Sequence, residues 1–222
     1  MQRTQHCAAM IYFSGLLGFL LVVTAEAKVG NSSQGSFCTE TKQCLLFNLT
    51  CQTRNYQVRR YESVKLVSTN ETARFLETAM FPTFSRLYKY ITGENSDDKN
   101  IEMTAPVIMR IPEKGAFESG DFKMSFILPA EHQMNPPKPT CKEVYIEEMK
   151  EMSVYVMSYG GWMSTLTDNW YSYTLSSALK AGIKYSKGFH YSVGYNSPTT
   201  LTDRHNEVWF VVEGDPVCYS NV

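Results

Sequence analysis

Two similar stretches, Met103-Thr104-Ala105-Pro106 and Tyr195-Asn196-Ser197-Pro198, decide the fold that we expect for this chain. Each has a bulky residue, a small polar residue, a small residue and then proline, and each lies at the end of a strand-like run. The two prolines are 92 positions apart, and Tyr56 and Tyr145 open similar runs 89 positions apart. Recurrence at a nearly constant spacing is typical of an internal repeat, so the sequence predicts a duplicated β-β-α-β-β unit.

The surrounding residues divide into the elements of two such units, separated by a linker with four prolines at residues 129–140. Alternating apolar and polar residues predict strands at residues 56–61, 64–67, 101–111 and 122–128, and again at 144–146, 154–156, 191–195 and 207–212. Helical spacing predicts helices at residues 72–92 and 165–181, each followed by a glycine that can end it. Pro82 should kink the first helix or make it restart.

An α+β fold follows from the need to bury both helices. The predicted core faces are Leu76, Met80, Thr83, Leu87 and Ile91 in the first helix, and Leu166, Trp170, Tyr173, Ser177 and Ala178 in the second. Neither half alone can bury its helix and both faces of its strands. Together the halves supply about eight mostly antiparallel strands, and a distorted antiparallel β-barrel with the two helices packed outside covers both faces.

The amino-terminal residues are typical of a secretory signal peptide, residues 1–27. Residues 11–23 form an apolar run, which is shorter than the roughly 20 residues that a membrane-spanning helix needs. Ala25-Glu26-Ala27 supplies the small-x-small pattern of a cleavage site. We therefore expect a secreted chain that begins at Lys28 and has no membrane span, with an uncleaved signal anchor as the alternative.

Cysteines and glycosylation sequons agree with export. Removal of Cys7 with the signal peptide leaves five disulfide candidates, namely Cys38, Cys44, Cys51, Cys141 and Cys218. An oxidising compartment favours at least two disulfides among them. One arrangement joins Cys141 to Cys218 and pairs two of the other three locally. Sequons predict N-glycosylation at Asn31, Asn48 and Asn70.

The composition defines the domain boundaries and excludes several functions. Polar residues 28–54 predict a cysteine-containing extension outside the main core, followed by one domain at residues 55–214 and a tail at 215–222. The net charge is −1 and no long basic cluster occurs, so we expect no nucleic-acid partner. The sequence contains no CxxC, G-x-S-x-G, H-E-x-x-H or P-loop pattern, which argues against a metal site and against an enzyme.

Six motifs in order resemble the SOUL/haem-binding protein family over nearly all of residues 56–213. They are Tyr56-x-Val58-Arg59-x-Tyr61, Ile101-Glu102-Met103-Thr104-Ala105-Pro106-Val107, Pro136-Pro137-x-Pro139, Val144-Tyr145-Ile146-Glu147-Glu148, Gly194-Tyr195-Asn196-Ser197-Pro198 and Asn206-Glu207-Val208-Trp209. The resemblance implies a distorted β-barrel of two repeats that binds haem or a related tetrapyrrole non-covalently. It makes a secreted, non-enzymatic carrier or scavenger the expected function.

The chain departs from the family at positions associated with haem. Some members have a histidine, suggested as an axial ligand, where this chain has Arg60, and a guanidinium cannot ligate iron. Another branch has an arginine and a lysine, associated with the haem propionates, where this chain has Phe81 and Thr200. We therefore expect apolar contact, rather than a strong axial histidine, to hold the ligand.

Phe81, Phe84 and Tyr88 form an aromatic stripe beside the core face of the first helix and are the predicted haem contacts. Arg74 and Lys89, taken to lie on the same helix, are the candidates for propionate contacts. Ordinary packing against a loop is the alternative for the aromatic stripe. A second function left open is an extracellular protein-interaction module that uses this helix or the Pro-rich linker.

Overall fold

The fold consists of eleven strands and two helices in a computed structural model that describes residues 28–34, 37–179 and 182–218. The strands are β1 (Val29–Asn31), β2 (Gln43–Leu45), β3 (Asn48–Gln52), β4 (Gln57–Tyr61), β5 (Val64–Ala73), β6 (Val107–Pro112), β7 (Gly120–Ile127), β8 (Val144–Met149), β9 (Met152–Tyr159), β10 (Phe189–Gly194) and β11 (Asn206–Val211). The helices are α1 (Leu76–Ile91) and α2 (Thr165–Ala178). The predicted signal peptide and residues 219–222 of the predicted tail lie outside the described residues.

A strongly curled antiparallel sheet of nine strands has the order β3-β4-β9-β11-β10-β6-β7-β5-β8. The order is symmetric about the central β6–β10 pair, because β10-β11-β9 on one side corresponds to β6-β7-β5 on the other. Each half's first strand then pairs with the second strand of the other half, β4 with β9 and β8 with β5. This strand order confirms an α+β distorted barrel built from two β-β-α-β-β units. The first strand of each unit pairs with the other unit instead of its own.

The two proline motifs, however, do not occupy equivalent places in the two units, so that part of the repeat argument was wrong. Pro106 precedes the third strand of its half, β6, whereas Pro198 follows the third strand of the other half, β10. The motifs are neighbours in space instead, because Val107 at the start of β6 pairs with Gly194 at the end of β10. The resemblance between them therefore marks two adjacent loops at one end of the sheet.

Buried side chains form three clusters that follow the layers of the fold. One fills the concave interior of the sheet and includes Tyr61, Ile108 and Trp209. A second lies between α1 and the β5–β7 region, and a third lies between α2 and the β9–β11 region. Both helices thus pack on the outside of the sheet, as the sequence predicted.

The extension at residues 28–54 is not outside the main core, which corrects the sequence-based expectation. Val29, Cys38 and Leu45 are buried in the interior cluster, and β3 joins the large sheet as an edge strand. The aromatic rings of Phe37 and Phe47 pack against the same cluster. The extension is retained there because it covers interior side chains of the curled sheet that would otherwise meet solvent.

Two disulfides form, Cys38–Cys44 and Cys51–Cys218. The local amino-terminal pair was expected, but the suggested Cys141–Cys218 bond was wrong, and Cys141 is a free thiol. Strand order gives the reason: Cys51 lies in β3 at one edge of the sheet, whereas Cys141 precedes β8 at the opposite edge. Among the sequons, Asn31, Asn48 and Asn70 are all exposed, as glycosylation would require.

The second helix presents a different face to the sheet from the one predicted. Leu166, Trp170 and Tyr173 are 81%, 66% and 71% exposed, whereas Asp168 and Leu175 are buried. Residues Tyr171, Leu175, Ala178 and Leu179 pack in the third cluster. The rotation is explained by a hydrogen bond of 2.8 Å between Asp168 and His190 on β10, which requires the carboxylate side of α2 to face the sheet.

The first helix is shorter than predicted, because Thr72 and Ala73 belong to the end of β5. Pro82 lies inside α1, which continues through it and does not restart. Thr83 donates a side-chain hydrogen bond to the Ala79 carbonyl at 2.6 Å on the turn around the proline. The predicted core stripe is largely confirmed, since Leu76, Thr83, Leu87 and Ile91 are buried.

Candidate functional site

Two adjoining cavities of about 340 and 490 Å³ lie along α1. They share five lining residues and therefore form one continuous groove, named here the α1 groove: Phe84, Val107, Gly194, Asn196 and Pro198. The two proline motifs supply one wall of this groove and α1 supplies the opposite wall. A groove of this size falls in the range of small-molecule sites in proteins.

Five methionines contribute to the apolar lining of the α1 groove. They come from α1, from the segment before β6, from β6, from β7 and from the loop before α2: Met80, Met103, Met109, Met124 and Met163. Gly194 permits the close approach of the last of these, since a Cβ there would come within 3.2 Å of the Met163 terminal methyl. Thioether side chains are flexible and polarisable, so they adapt to the shape of an apolar ligand.

All three aromatic residues predicted as ligand contacts line the groove. Phe84 is common to both cavities, Phe81 lines one, and Tyr88 lines the other. The Phe84 ring stacks with Tyr88 at 5.9 Å and meets Phe126 edge to face at 5.3 Å. Phe81 is 81% exposed, so an ordinary packing role does not account for its position. Their role in binding a ligand stays a prediction.

The loop closed by Cys38–Cys44 forms one end of the groove through Glu40, Thr41 and Lys42. Glu40 anchors this loop to the second proline motif by accepting hydrogen bonds from Asn196 Nδ2 at 2.8 Å, Ser197 N at 2.6 Å and Thr200 Oγ1 at 2.6 Å. Burial alone would raise the pKa of Glu40, but these hydrogen bonds outweigh it and hold the pKa below 4.5. The extension therefore belongs to the site as well as to the core.

The structure does not place the predicted propionate contacts at the groove. Arg74 precedes α1 and is exposed, and Lys89 faces Glu94 at 3.9 Å; neither lines either cavity. The cations that do line it are Lys42, which is exposed and pairs with Glu102 at 2.7 Å, and Arg204.

Arg204 holds the loop of the second proline motif in place. It donates hydrogen bonds to the Ser197 and Thr200 carbonyls at 2.6 and 2.8 Å, and its guanidinium lies 4.3 Å from the Trp162 ring centre.

Arg60 and Thr200, the other positions associated with haem in the family, line neither cavity. Arg60 pairs with Glu151 at 2.7 Å, and Thr200 donates a hydrogen bond to Glu40, which does line the groove. Of the histidines in the described part of the chain, none lines the α1 groove. Over the same ranges, no three His, Cys, Asp or Glu side chains converge as a metal site. No helix among these residues is long and apolar enough to cross a membrane.

A polar network lies inside the sheet directly behind the groove. Arg59 donates to Glu207 at 2.9 Å, and Glu207 also accepts hydrogen bonds from Trp209 Nε1 at 2.7 Å and Tyr195 OH at 3.1 Å. The Arg59 guanidinium lies 4.1 Å from the Phe47 ring centre. Because Tyr195 also lines the groove, this network fixes the position of the groove wall.

The fold and the groove define this chain as a two-repeat α+β protein with a ligand-sized apolar groove beside its first helix. The family model described as SOUL heme-binding protein matches residues 42–211. The chain is 35% identical to Heme-binding protein 2 of Homo sapiens over 74% of this chain and 82% of the relative. It is 29% identical to Heme-binding protein 1 of Xenopus laevis over 70% of this chain and 83% of the relative. The chain therefore belongs to the SOUL heme-binding protein family.

A likeness also exists among solved structures. A chain in a cryo-EM structure of an EcmrR–DNA complex matches with a TM-score of 0.52 and 10% identity, covering 72% of this chain and 58% of that one. At this identity the likeness shows a shared fold alone.

Proposed function

We propose that this protein binds haem or a related tetrapyrrole non-covalently in the α1 groove and acts as a secreted, non-enzymatic carrier or scavenger. The observation that carries the proposal is the continuous apolar groove beside α1, lined by five methionines and four aromatic residues. The relatives named Heme-binding protein 2 and Heme-binding protein 1 support the choice of ligand.

The residues of the groove fit a tetrapyrrole in two respects. First, its thioether and aromatic side chains can cover the flat apolar faces of a macrocycle. Burial of apolar surface in this way contributes on the order of 25 cal/mol of binding free energy per Å². Second, Lys42 at one end and Arg204 at the other can each donate to a carboxylate, and such charge-assisted hydrogen bonds are strong. Bound haem would add an iron centre with its own chemistry, whereas the chain's own residues bind and orient the macrocycle.

Secretion is supported by three independent features. The amino-terminal residues have the pattern of a cleavable signal peptide. Two disulfides form, and these persist in oxidising compartments. The sequon asparagines are exposed. Expression of the full chain in secretory cells should yield a secreted product that begins at Lys28 and loses mass on enzymatic deglycosylation; a chain that stays inside the cells with residues 1–27 attached would contradict this part of the proposal.

An absorbance titration with haemin tests the binding proposal. Wild type should show saturable binding, and Phe84→Asp should weaken it about tenfold or more, because a carboxylate in an apolar groove is costly to desolvate. Trp170→Asp is the matched control, since Trp170 is an exposed aromatic residue on the other helix. Equal weakening by both variants, or saturable binding unaffected by Phe84→Asp, would contradict the assignment of the groove.

The alternative function, a protein-interaction module, is favoured less by the structure. The Pro-rich linker is partly packed, because Pro137 is buried and its carbonyl accepts a hydrogen bond from Tyr90 OH at 2.9 Å. The aromatic residues of α1 border a concave groove with cations at its ends rather than a flat patch.

A further inference from the structure

A second cavity of about 410 Å³ lies under α2, between this helix, β10, β11 and the segment before β10. Its place in the second repeat corresponds to the place of the α1 groove in the first, because one cavity adjoins α2 and the third and fourth strands of its half, and the other adjoins α1, β6 and β7. The duplicated fold therefore provides two related cavities, and their linings differ in chemistry.

Aromatic rings and polar groups share the lining of this second cavity. Tyr185 and Phe210 stack at 4.6 Å between ring centres, and Phe189 adds a third ring. The lining also includes the hydroxyls of Ser172 and Ser176, the imidazole of His190 and the ammonium of Lys187, which lies 3.4 Å from the Tyr185 ring centre. No methionine lines it, in contrast to the α1 groove.

His190 is held by a buried carboxylate. Its Nε2 lies 2.8 Å from Asp168 Oδ2, and the side chains are only 9% and 2% exposed. A carboxylate accepts the proton on Nε2, and in the neutral imidazole this leaves Nδ1 as a hydrogen-bond acceptor. No residue in the described ranges makes a hydrogen bond with Nδ1. Burying such a pair is costly, so it is weak evidence for a purely stabilising role.

The two serines also present acceptors to the cavity. Ser172 donates its hydroxyl proton to the Asn169 carbonyl at 3.1 Å, and Ser176 donates to the Tyr173 carbonyl at 2.8 Å. Their oxygen lone pairs are thus left for other partners. The carboxylate of Glu113 at the rim adds a further acceptor. The cavity therefore combines aromatic rings and one cation with a set of hydrogen-bond acceptors.

We propose that this cavity is a second ligand site, which takes a small aromatic ring carrying hydroxyl or amine donors. The ring makes apolar contact with Tyr185, Phe189 and Phe210, and its donors reach His190 Nδ1 and the two serine oxygens. The site does not depend on tetrapyrrole binding in the α1 groove, so either proposal can fail without the other.

Resorcinol and 1,3-dimethoxybenzene are matched probes, because the second replaces both hydroxyl donors of the first with methyl ethers. Titrations of the intact disulfide-bonded protein, followed by NMR of the histidine side chains, should show saturable resorcinol shifts at His190. Dimethoxybenzene should bind at least about tenfold more weakly, since it leaves acceptors without partners. No shift at His190 with resorcinol, or equal binding of both probes, would overturn the proposal.

Variants separate this site from the α1 groove. The double variant Ser172→Ala/Ser176→Ala leaves the buried Asp168–His190 pair intact, so it should fold, and it should weaken resorcinol binding about tenfold while haemin binding is unchanged. Phe84→Asp should leave resorcinol binding unchanged. Unaltered resorcinol affinity in the serine variant would assign the donors to other groups and overturn the proposed site.

Discussion

Arg59 and Glu207 lie 148 positions apart in sequence, and the guanidinium and carboxylate meet at 2.9 Å inside the curled sheet with both side chains fully buried. Arg59 comes from β4 of the first half and Glu207 from β11 of the second, so the pair joins the two repeats. Tyr61 and Trp209, two residues further along each strand, stack at 4.6 Å on the same face. Two of the sequence motifs that pointed to the family are therefore explained by the interior of the fold rather than by contact with a ligand.

Loss of one partner of this pair should destabilise the protein strongly. Glu207→Gln leaves a buried guanidinium without its counter-ion, and we expect a loss of about 3–5 kcal/mol in the free energy of unfolding. Glu151→Gln is the matched control, because it removes the exposed partner of the neighbouring Arg60 and should cost about 0–1 kcal/mol. Urea denaturation measures both changes. Losses of similar size would show that the buried pair contributes no more to the free energy of unfolding than the exposed pair.

The same carboxylate predicts how stability depends on pH. Burial would raise the pKa of Glu207, but hydrogen bonds from His205 and Trp209 and the charge of Arg59 lower it below 4.5. The ionisable side chains that face it are Arg59, Tyr61, Tyr195 and His205. Because the folded-state pKa is depressed, the stabilisation is present above pH 4.5 and is lost as the pH falls through the lowered pKa.

Denaturation of wild type and Glu207→Gln across this acidic range tests that dependence. The difference in free energy of unfolding should shrink as the pH falls. A difference that stays constant or grows below pH 4.5 would contradict a depressed pKa for Glu207.

The two disulfides should have separable effects. Cys38→Ser/Cys44→Ser should weaken tetrapyrrole binding, because the loop that it releases carries Glu40 and Lys42 at the groove. Cys51→Ser/Cys218→Ser should instead lower stability by about 2–5 kcal/mol and leave affinity nearly unchanged. Cys141→Ser is the control for both and should change neither quantity. Equal effects of the two double variants on affinity would show that the loop closed by Cys38–Cys44 has no specific role in tetrapyrrole binding.

Much of this fold follows from local sequence patterns. The predictions that were wrong depend on contacts between residues that are far apart in the sequence. Strand alternation and the glycines after each helix were sufficient to predict the two units and the α+β class. The orientation of α2 could not be predicted in this way, because its sequence offers two apolar stripes. The choice between them depends on the contact of Asp168 with His190 across the fold. The disulfide at Cys218 likewise depends on strand order, which brings β3 rather than the region of Cys141 beside the carboxyl end of the chain.

The candidate site likewise contains some residues that the sequence could predict and others that it could not. The aromatic stripe of α1 was visible in the sequence because its members lie on one helix at regular spacing. The methionines come from five separate segments, and Lys42 and Arg204 come from loops on either side of the groove, so no periodicity connects them. The chain's content of 11 methionines was the available signal.

The cations at the groove give a further prediction for carboxylate recognition. Lys42→Gln should weaken protoporphyrin binding about two- to fivefold, as expected for an exposed ion pair, and should have no effect on its dimethyl ester. Lys89→Gln is the matched control, since Lys89 lies on α1 but does not line the groove. Fluorescence titration measures both. Weaker protoporphyrin binding by Lys89→Gln but not by Lys42→Gln would contradict this prediction and support Lys89 as the propionate contact, as the sequence suggested.

We propose that apolar contact in the α1 groove, rather than an iron–histidine bond, holds the tetrapyrrole. None of the described histidines lines the groove, whereas methionine and aromatic side chains cover it. The most direct test is a side-by-side titration of wild type with haemin and with metal-free protoporphyrin. Similar dissociation constants, with Phe84→Asp weakening both equally, are the result that we predict. Failure of protoporphyrin to bind, together with a six-coordinate histidine-ligated spectrum for haemin, would contradict the account.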